Sequence, residues 1–592
     1  MAEATKHDSL LSQTLADLAP FPDRAALTWR IALLCALVTA TSMLFQIPEA
    51  AISCYLIIFL MKPDGVQNIV TALGLIVLVT IVVAFVVLLI NATIESPLLR
   101  LLSIALVSFV FLYIGAASQL GEIGGVIGLI IAFVLTLIDM APAGDAVSYA
   151  LRYAWYLVAM PMALMAVFNL VLGLSPVRLL RATLRERLSV TAEAIAGAPG
   201  ALDKLVELLS ADNSAVEKQA GFVKVLNLVS KDAAGQITRD VRASYRLMLA
   251  ASSLPADMAA DRRNELAAQI RLAIAALDGG RQPLPPAAAA ASVSPAEREI
   301  LAALAVIAGA PESEVIPAPK PPFFAPDAFS NPDYQRFALK TTAAAMICYV
   351  VYTGIDWQGI HTAMITCYVA ALGTTGETVH KLGLRIVGCL IGATMGIAAI
   401  LFVIPQIESI GGLMALVFAG TLVGAWVSTG NERIAYGGVQ IALAFLLTVL
   451  QGFGPSTSLD TAWDRIAGIL LGNLVVYLIF TRLWPVSVES AVRAHLGSAL
   501  AGLKRLAALA PERRLHAIPE AALIRNETGK ATEALALIPF EPHSIRPASQ
   551  TEDALRRAAL DIEILARDIY LGGATDEATE SRISQLTTTV AA

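Results

Sequence analysis

Residues 69–90 read IVTALGLIVLVTIVVAFVVLLI, a run without a single charged side chain. As a helix rising 1.5 Å per residue it would be about 33 Å long, enough to cross the ~30 Å of hydrocarbon in a bilayer. A core helix of a soluble protein would show a polar stripe every 3.6 residues, and this run shows none. Ile386–Ile404 has the same character. These runs decide the fold class: an all-α membrane protein.

Working outward, the apolar excess falls in two blocks. Of the 592 residues, 57% are hydrophobic and only 15% charged, against about 25% charged in soluble domains. In the first block we expect spans at Leu27–Phe45, Ala50–Met61, Ile69–Ile90, Leu98–Ala117, Ile123–Ile138 and Tyr149–Leu172. In the second we expect Phe337–Gly354, Gly359–Leu372, Leu382–Ile404, Ile410–Val427, Ile434–Leu450 and Trp463–Leu483. The second and eighth runs are short for a full crossing, and a broken or re-entrant course fits them where protein or water surrounds the freed backbone. No cleavable signal precedes the first run, which is expected to stay as an anchor.

The expected plan is a cytosolic segment 1–26, a transmembrane block 27–174, a helical cytosolic domain 175–335, a second transmembrane block 336–484 and a helical cytosolic domain 485–592. In Arg178–Leu188 the arginines at 178, 181 and 185 share one face, while Leu180, Leu184 and Leu188 share another. Pro-rich stretches at Gln282–Pro286 and Pro317–Pro326 mark linkers, and a break around Pro539–Pro547 divides the tail. Arg336, Lys340, Lys381, Arg385, Arg433 and Arg482 fall on one side of the second block and Arg465 alone on the other, which places both termini in the cytoplasm. In the first block, Arg100 and Arg152 fit that rule less well. A shift of 313 residues superimposes Cys35 on Cys348, Cys54–Tyr55 on Cys367–Tyr368 and Arg152 on Arg465. The two blocks are therefore expected to be parallel six-helix repeats about an axis along the membrane normal.

Candidate functional residues concentrate in the second block. Arg385-x-x-Gly388-x-x-x-Gly392-x-x-x-Gly396 puts small residues on one helical face, the pattern that lets a neighbouring helix approach closely, and Arg465-x-x-Gly468-x-x-x-Gly472 repeats it. Packing alone accounts for the glycines. Arg385 and Arg465 each stand about one turn inside an expected span, where a cation costs at least ~2.5 kcal/mol unless it snorkels, pairs or faces water. Either they anchor helix ends at the headgroups, or they form an anion site, since guanidinium binds carboxylate in two-pronged fashion and stacks on aromatic rings. At the position of Arg385 the first block has Ala72, so any main site is biased to the second block.

Thr374-x-x-Glu377 fits a capping box; the alternative makes Glu377 or His380 a proton relay. His361, Asp356 and Trp357 gather at the opposite mouth. Asp64, Glu122, Asp139, Glu432 and Asp464 fall at expected loops, and an interhelical hydrogen bond accounts for Asn473. Tyr55, Tyr349, Tyr352, Trp357 and Tyr368 line an aromatic path or form interface belts. The five cysteines lie in apolar runs as small buried residues, with no metal spacing. No phosphate loop, metalloprotease motif or nucleophile elbow is present, so neither ATP hydrolysis nor enzyme chemistry is expected, and no cofactor or nucleic acid is called for.

The order of six spans, helical domain, six spans and helical tail, together with the arginine–glycine motifs at 385–392 and 465–472, resembles the fusaric acid resistance family, inner-membrane subunits of aromatic-acid and multidrug efflux systems. The resemblance implies export of small organic anions, aromatic carboxylic acids among them, from a bacterial inner membrane. It also implies proton coupling, a periplasmic membrane-fusion adaptor and an outer-membrane channel. We expect Arg385, Arg465, Tyr352, Trp357 and Tyr368 to bind substrate, Glu377 or His380 to couple protons, and the chain to form a homo-oligomer. Rival readings are a passive organic-anion channel and a membrane-anchored scaffold.

Overall fold

The computed structural model describes residues 17–20, 24–137, 144–210, 213–255, 257–286, 294–312, 315–319, 322–452, 454–455, 460–572 and 577–591. Asp139 and the end of the fifth expected span at Ile138 lie outside them. The chain divides into two units, one of Met1–Gly173 with Pro321–Val486 and one of Leu174–Lys320 with Ser487–Ala592.

The first unit opens with α1 (Arg24–Leu44), α2 (Ala50–Leu60), α3 (Gly65–Thr93), α4 (Pro97–Ala117), α5 (Glu122–Leu137) and α6 (Gly144–Leu172). Polar caps set the starts. Asp64 accepts from the amides of Val66 and Gln67, and Ser96 accepts from Leu99 with Pro97 in the first turn. Along α3, Val79, Val82, Val86 and Ile90 are buried while Leu73, Val77, Ile81 and Leu88 face outward. A helix apolar on both its protein side and its outer side belongs in lipid.

The second half of this unit carries α13 (Pro332–Gly354), α14 (Thr362–Ala370), α15 (Thr375–Ala398), α16 (Ile410–Ser428), α17 (Glu432–Val449) and α18 (Asp460–Arg482). Among the described residues, nine helices are long and apolar enough to cross a membrane. The second and eighth runs are short, as their sequence indicates: α2 has 11 residues and α14 nine, or about 16 and 14 Å of helix. Helix α15 starts at Thr375 rather than near Leu382, because the Thr374–Glu377 capping box nucleates it in polar sequence that hydropathy leaves outside the span. Arg385 therefore stands about three turns into its helix, not one.

The halves interlock. Helix α1 packs on α16 and α13 on α4; α2 packs on α17 and α14 on α5. Each half also keeps a cysteine pair of its own. Cys54 Sγ lies 3.4 Å from the Cys35 carbonyl, and Cys348 and Cys367 bring their sulfurs to 3.5 Å. Helix α15 lies closely along α17, and α3 lies closely along α6.

The second unit contains α7 (Pro176–Ile195), α8 (Ala201–Ser210), α9 (Asn213–Val225), α10 (Lys231–Ala251), α11 (Ala260–Asp278) and α12 (Pro295–Ile307). From the tail it adds α19 (Val488–Ala507), α20 (Pro511–Arg514), α21 (Ile518–Leu535), α22 (Ser549–Tyr570) and α23 (Glu577–Ala591). The two polar segments share one apolar core, with Leu188, Leu247 and Ile300 from the first and Leu496, Ile524 and Ile562 from the second. On α7 the leucines at 180, 184 and 188 are buried, while the arginines at 178, 181 and 185 lie on the more open face. Arg246 and Glu299 form a buried ion pair at 2.6 Å beside Tyr570.

Candidate functional site

The glycines of α15 explain why a cation sits deep in this bundle. A Cβ on Gly388 or Gly392 would overlap the backbone of α17 at Gly437 and Ile441, and one on Gly396 would meet the Thr448 side chain. With no side chains between them, α15 and α17 run almost backbone to backbone. Arg385 shares that face and is carried into the contact, where it is 3% exposed. Its Nη1 donates to Tyr436 Oη at 2.9 Å on α17, and its Nη2 donates to Thr366 Oγ1 at 3.1 Å on α14. Its Nε has no partner, and no carboxylate among the described residues forms an ion pair with it. One turn along the seam, Gln440 is fully buried with Nε2 also unpaired, and Cys389 Sγ lies 3.8 Å from its Oε1.

Lys381, one turn before Arg385, stands 5.0 Å from the centroid of the Tyr436 ring and reaches Glu122 of α5 at 3.5 Å. The carboxylate of Glu122 is mostly exposed, so this pair sits at the edge of the bundle rather than within it.

Arg465 forms a second centre at the start of α18. Its Nη1 donates to His361 Nε2 at 2.9 Å, its Nη2 lies 3.9 Å from Glu49, and its Nε is unpaired. His361 Nδ1 is 2.9 Å from the Gln358 carbonyl. Both contacts are met by a neutral imidazole with its proton on Nδ1. Trp357 Nε1 donates to Asp464 Oδ1 at 2.8 Å, next to Arg465 in the chain. Between α15, α17 and α18 a cavity of about 10 Å³ is lined by Cys389, Ala393, Ala444, Thr448 and Arg465, room for no more than about one water. Arg385 is buried, and the Arg465 side chain is 12% exposed.

The expected site residues thus separate. Trp357 accompanies Arg465. Tyr368 faces the first block, its hydroxyl 2.5 Å from Ser108 on α4, and Tyr352 stacks edge-on with Tyr349 on α13; neither is hydrogen-bonded to Arg385. Glu377 accepts from the Thr374 amide and hydroxyl and caps its own helix. His380 is half-buried on the same helix, about one and a half turns before Arg385. Sequence reasoning missed Tyr436, Thr366, Gln440 and Glu49. Only Gln440, a polar residue inside an apolar run, carried a visible signal.

Fold and site define a multi-pass α-helical membrane protein with a buried guanidinium at its centre. Residues 335–587, a segment that holds both arginine centres, match the fusaric acid resistance protein family. A 197-residue stretch is 39% identical to Multidrug resistance protein MdtO of Escherichia coli (strain K12), covering 33% of this chain and 29% of that protein. The protein of the same name from Shigella flexneri matches at the same identity and coverage. Inner membrane protein YccS of Escherichia coli (strain K12) is 28% identical over 159 residues, covering 26% of this chain and 21% of its own length. The matches span less than a third of these relatives. No solved structure matches the chain.

Proposed function

We propose that this chain is an inner-membrane efflux transporter for small organic anions, aromatic carboxylic acids among them, driven by protons and working with a periplasmic adaptor. The observation that carries the reading is Arg385: buried, held by two neutral hydroxyls, with one N–H unpaired and no ion-paired carboxylate among the described residues. A cation taken out of water is costly unless it is paired. Here the missing partner is the substrate, whose carboxylate takes the free Nε and draws on the two-pronged geometry of guanidinium. The names of the relatives, which speak of multidrug resistance and of the inner membrane, support the same reading.

The glycine ladder gives the motion its place. Contacts made through glycine are held by dispersion without interlocking side chains, so α15 can slide along α17 and open the Arg385 seam to one side or the other. The test is export by cells carrying Arg385→Ala or Arg385→Lys at equal membrane abundance. The alanine variant is expected to lose export of benzoate and salicylate. The lysine variant should retain a small fraction, because a point charge lacks the planar fork. Parental export by both would remove the assignment.

A further inference from the structure

We propose that His361 is the proton-binding residue of this transporter, and that the short helix α14 carries its protonation to Arg385. The proposal rests on the anion-export reading of the Arg385 site but is tested separately from it. The imidazole is locked between a carbonyl at Nδ1 and a guanidinium at Nε2. A proton arriving on Nε2 removes the lone pair that accepts from Arg465 and sets an N–H against an N–H. One hydrogen bond breaks and two cations face each other. Arg465 then turns to Glu49, 3.9 Å away in the first half of the chain. Loss of the proton restores the original bond.

Every charged or titratable group around His361 is consistent with this exchange. Helix α18 presents Arg465 and Asp464, whose Oδ1 accepts from Trp357. The turn before α2 presents Glu49. The segment of His361 itself carries Asp356. Helix α13 contributes the phenols Tyr349 and Tyr352, and α5 sets the Phe133 ring 5.5 Å from the imidazole.

The link to the anion site is α14. His361 stands at its N-cap, and Thr366, about one and a half turns later, accepts from Arg385 Nη2 while donating to the Thr362 carbonyl at 2.7 Å. The same helix rests on the glycines of α18, Gly468 against Ile360 and Thr362, Gly472 against Ala363 and Thr366. A nine-residue helix seated on a glycine track moves as a piece. Displacing its His361 end therefore pulls Thr366 from Arg385, so proton and anion each change the other's affinity by the same factor.

The test is hydrogen exchange of the α14 amides, corrected for intrinsic chemistry, on the full chain in proteoliposomes between pH 8 and pH 5. Protection is expected to fall about tenfold per unit below about pH 6.5, where a freed histidine takes up its proton, as for a one-proton opening. It should stay flat in His361→Gln, which keeps an acceptor for Arg465, and fall less in Glu49→Gln. A pH-independent wild-type profile overturns the proposal without recourse to any variant, and so does an unchanged fall in His361→Gln. Added benzoate should restore protection at low pH in the wild type but not in Arg385→Ala. If the pH response is present and benzoate has no effect, His361 stands as the proton site and the anion reading of Arg385 fails.

Discussion

Arg385 and Tyr436 are joined by a 2.9 Å hydrogen bond between guanidinium and phenol across the seam of α15 and α17. A hydrogen bond to a charged group is worth about 1.5–3 kcal/mol. Tyr436→Phe leaves the cation in place but frees its Nη1. We expect benzoate export with KM raised about tenfold and little change in maximal rate, while Tyr352→Phe, which is not bonded to Arg385, leaves both unchanged. Initial-rate transport at varied benzoate concentration checks this.

The closeness of α15 and α17 predicts opposite outcomes for two substitutions of the same kind. A methyl at Gly392 overlaps the Ile441 backbone, which cannot give way as a flexible side chain would, whereas a methyl at Gly383 meets nothing within 4 Å. Gly392→Ala should destabilise the protein by about 1–3 kcal/mol through overpacking. Gly383→Ala should be neutral or stabilising by up to about 1 kcal/mol through its helix preference. Thermal unfolding in detergent separates the two.

The interlocking of the halves can be trapped covalently. Thr28 on α1 and Thr429, just past α16, bring their hydroxyls to 3.1 Å although 401 residues apart. The double variant Thr28→Cys/Thr429→Cys should form an intramolecular disulfide on mild oxidation, seen as a linked peptide by mass spectrometry. A product linked only between chains would contradict the packing of α1 on α16.

Much of this is legible in the sequence, for physical reasons that differ by element. Runs such as 69–90 announce spans because lipid demands length and apolarity, and the cysteines at 35, 54, 348 and 367 announce helix contacts because small residues suit places where helices touch. Hydropathy alone sets the start of α15 too late, because a capping box is polar and falls outside an apolar run. Tyr436, Thr366 and Glu49 stay hidden because a hydroxyl or carboxylate becomes a partner only when another helix delivers a guanidinium to it, and no spacing along the chain encodes that meeting. The separation of Tyr352 and Tyr368 from Arg385 has the same origin: on one short helix, Thr366 and Tyr368 face different neighbours.

The second unit should soften as pH rises. Burial pushes the Asp240 carboxyl up to about 7, although Gln236 donates to it and Arg239 lies nearby. The folded state therefore holds a proton that the unfolded chain has released above about pH 4. Between those values stability falls with rising pH, and above about pH 7 the full cost of a buried carboxylate remains. Hydrogen exchange of peptides from α10 should be slower at pH 5.5 than at pH 8 after intrinsic correction, and Asp240→Asn should remove most of that difference.

The most direct measurement is equilibrium binding of radiolabelled benzoate to the purified chain in nanodiscs at pH 8, comparing the wild type with Arg385→Gln. Saturable binding by the wild type, competed by salicylate and reduced at least tenfold in the variant, is the expected result. Equal binding by both proteins would mean that the buried guanidinium serves packing alone.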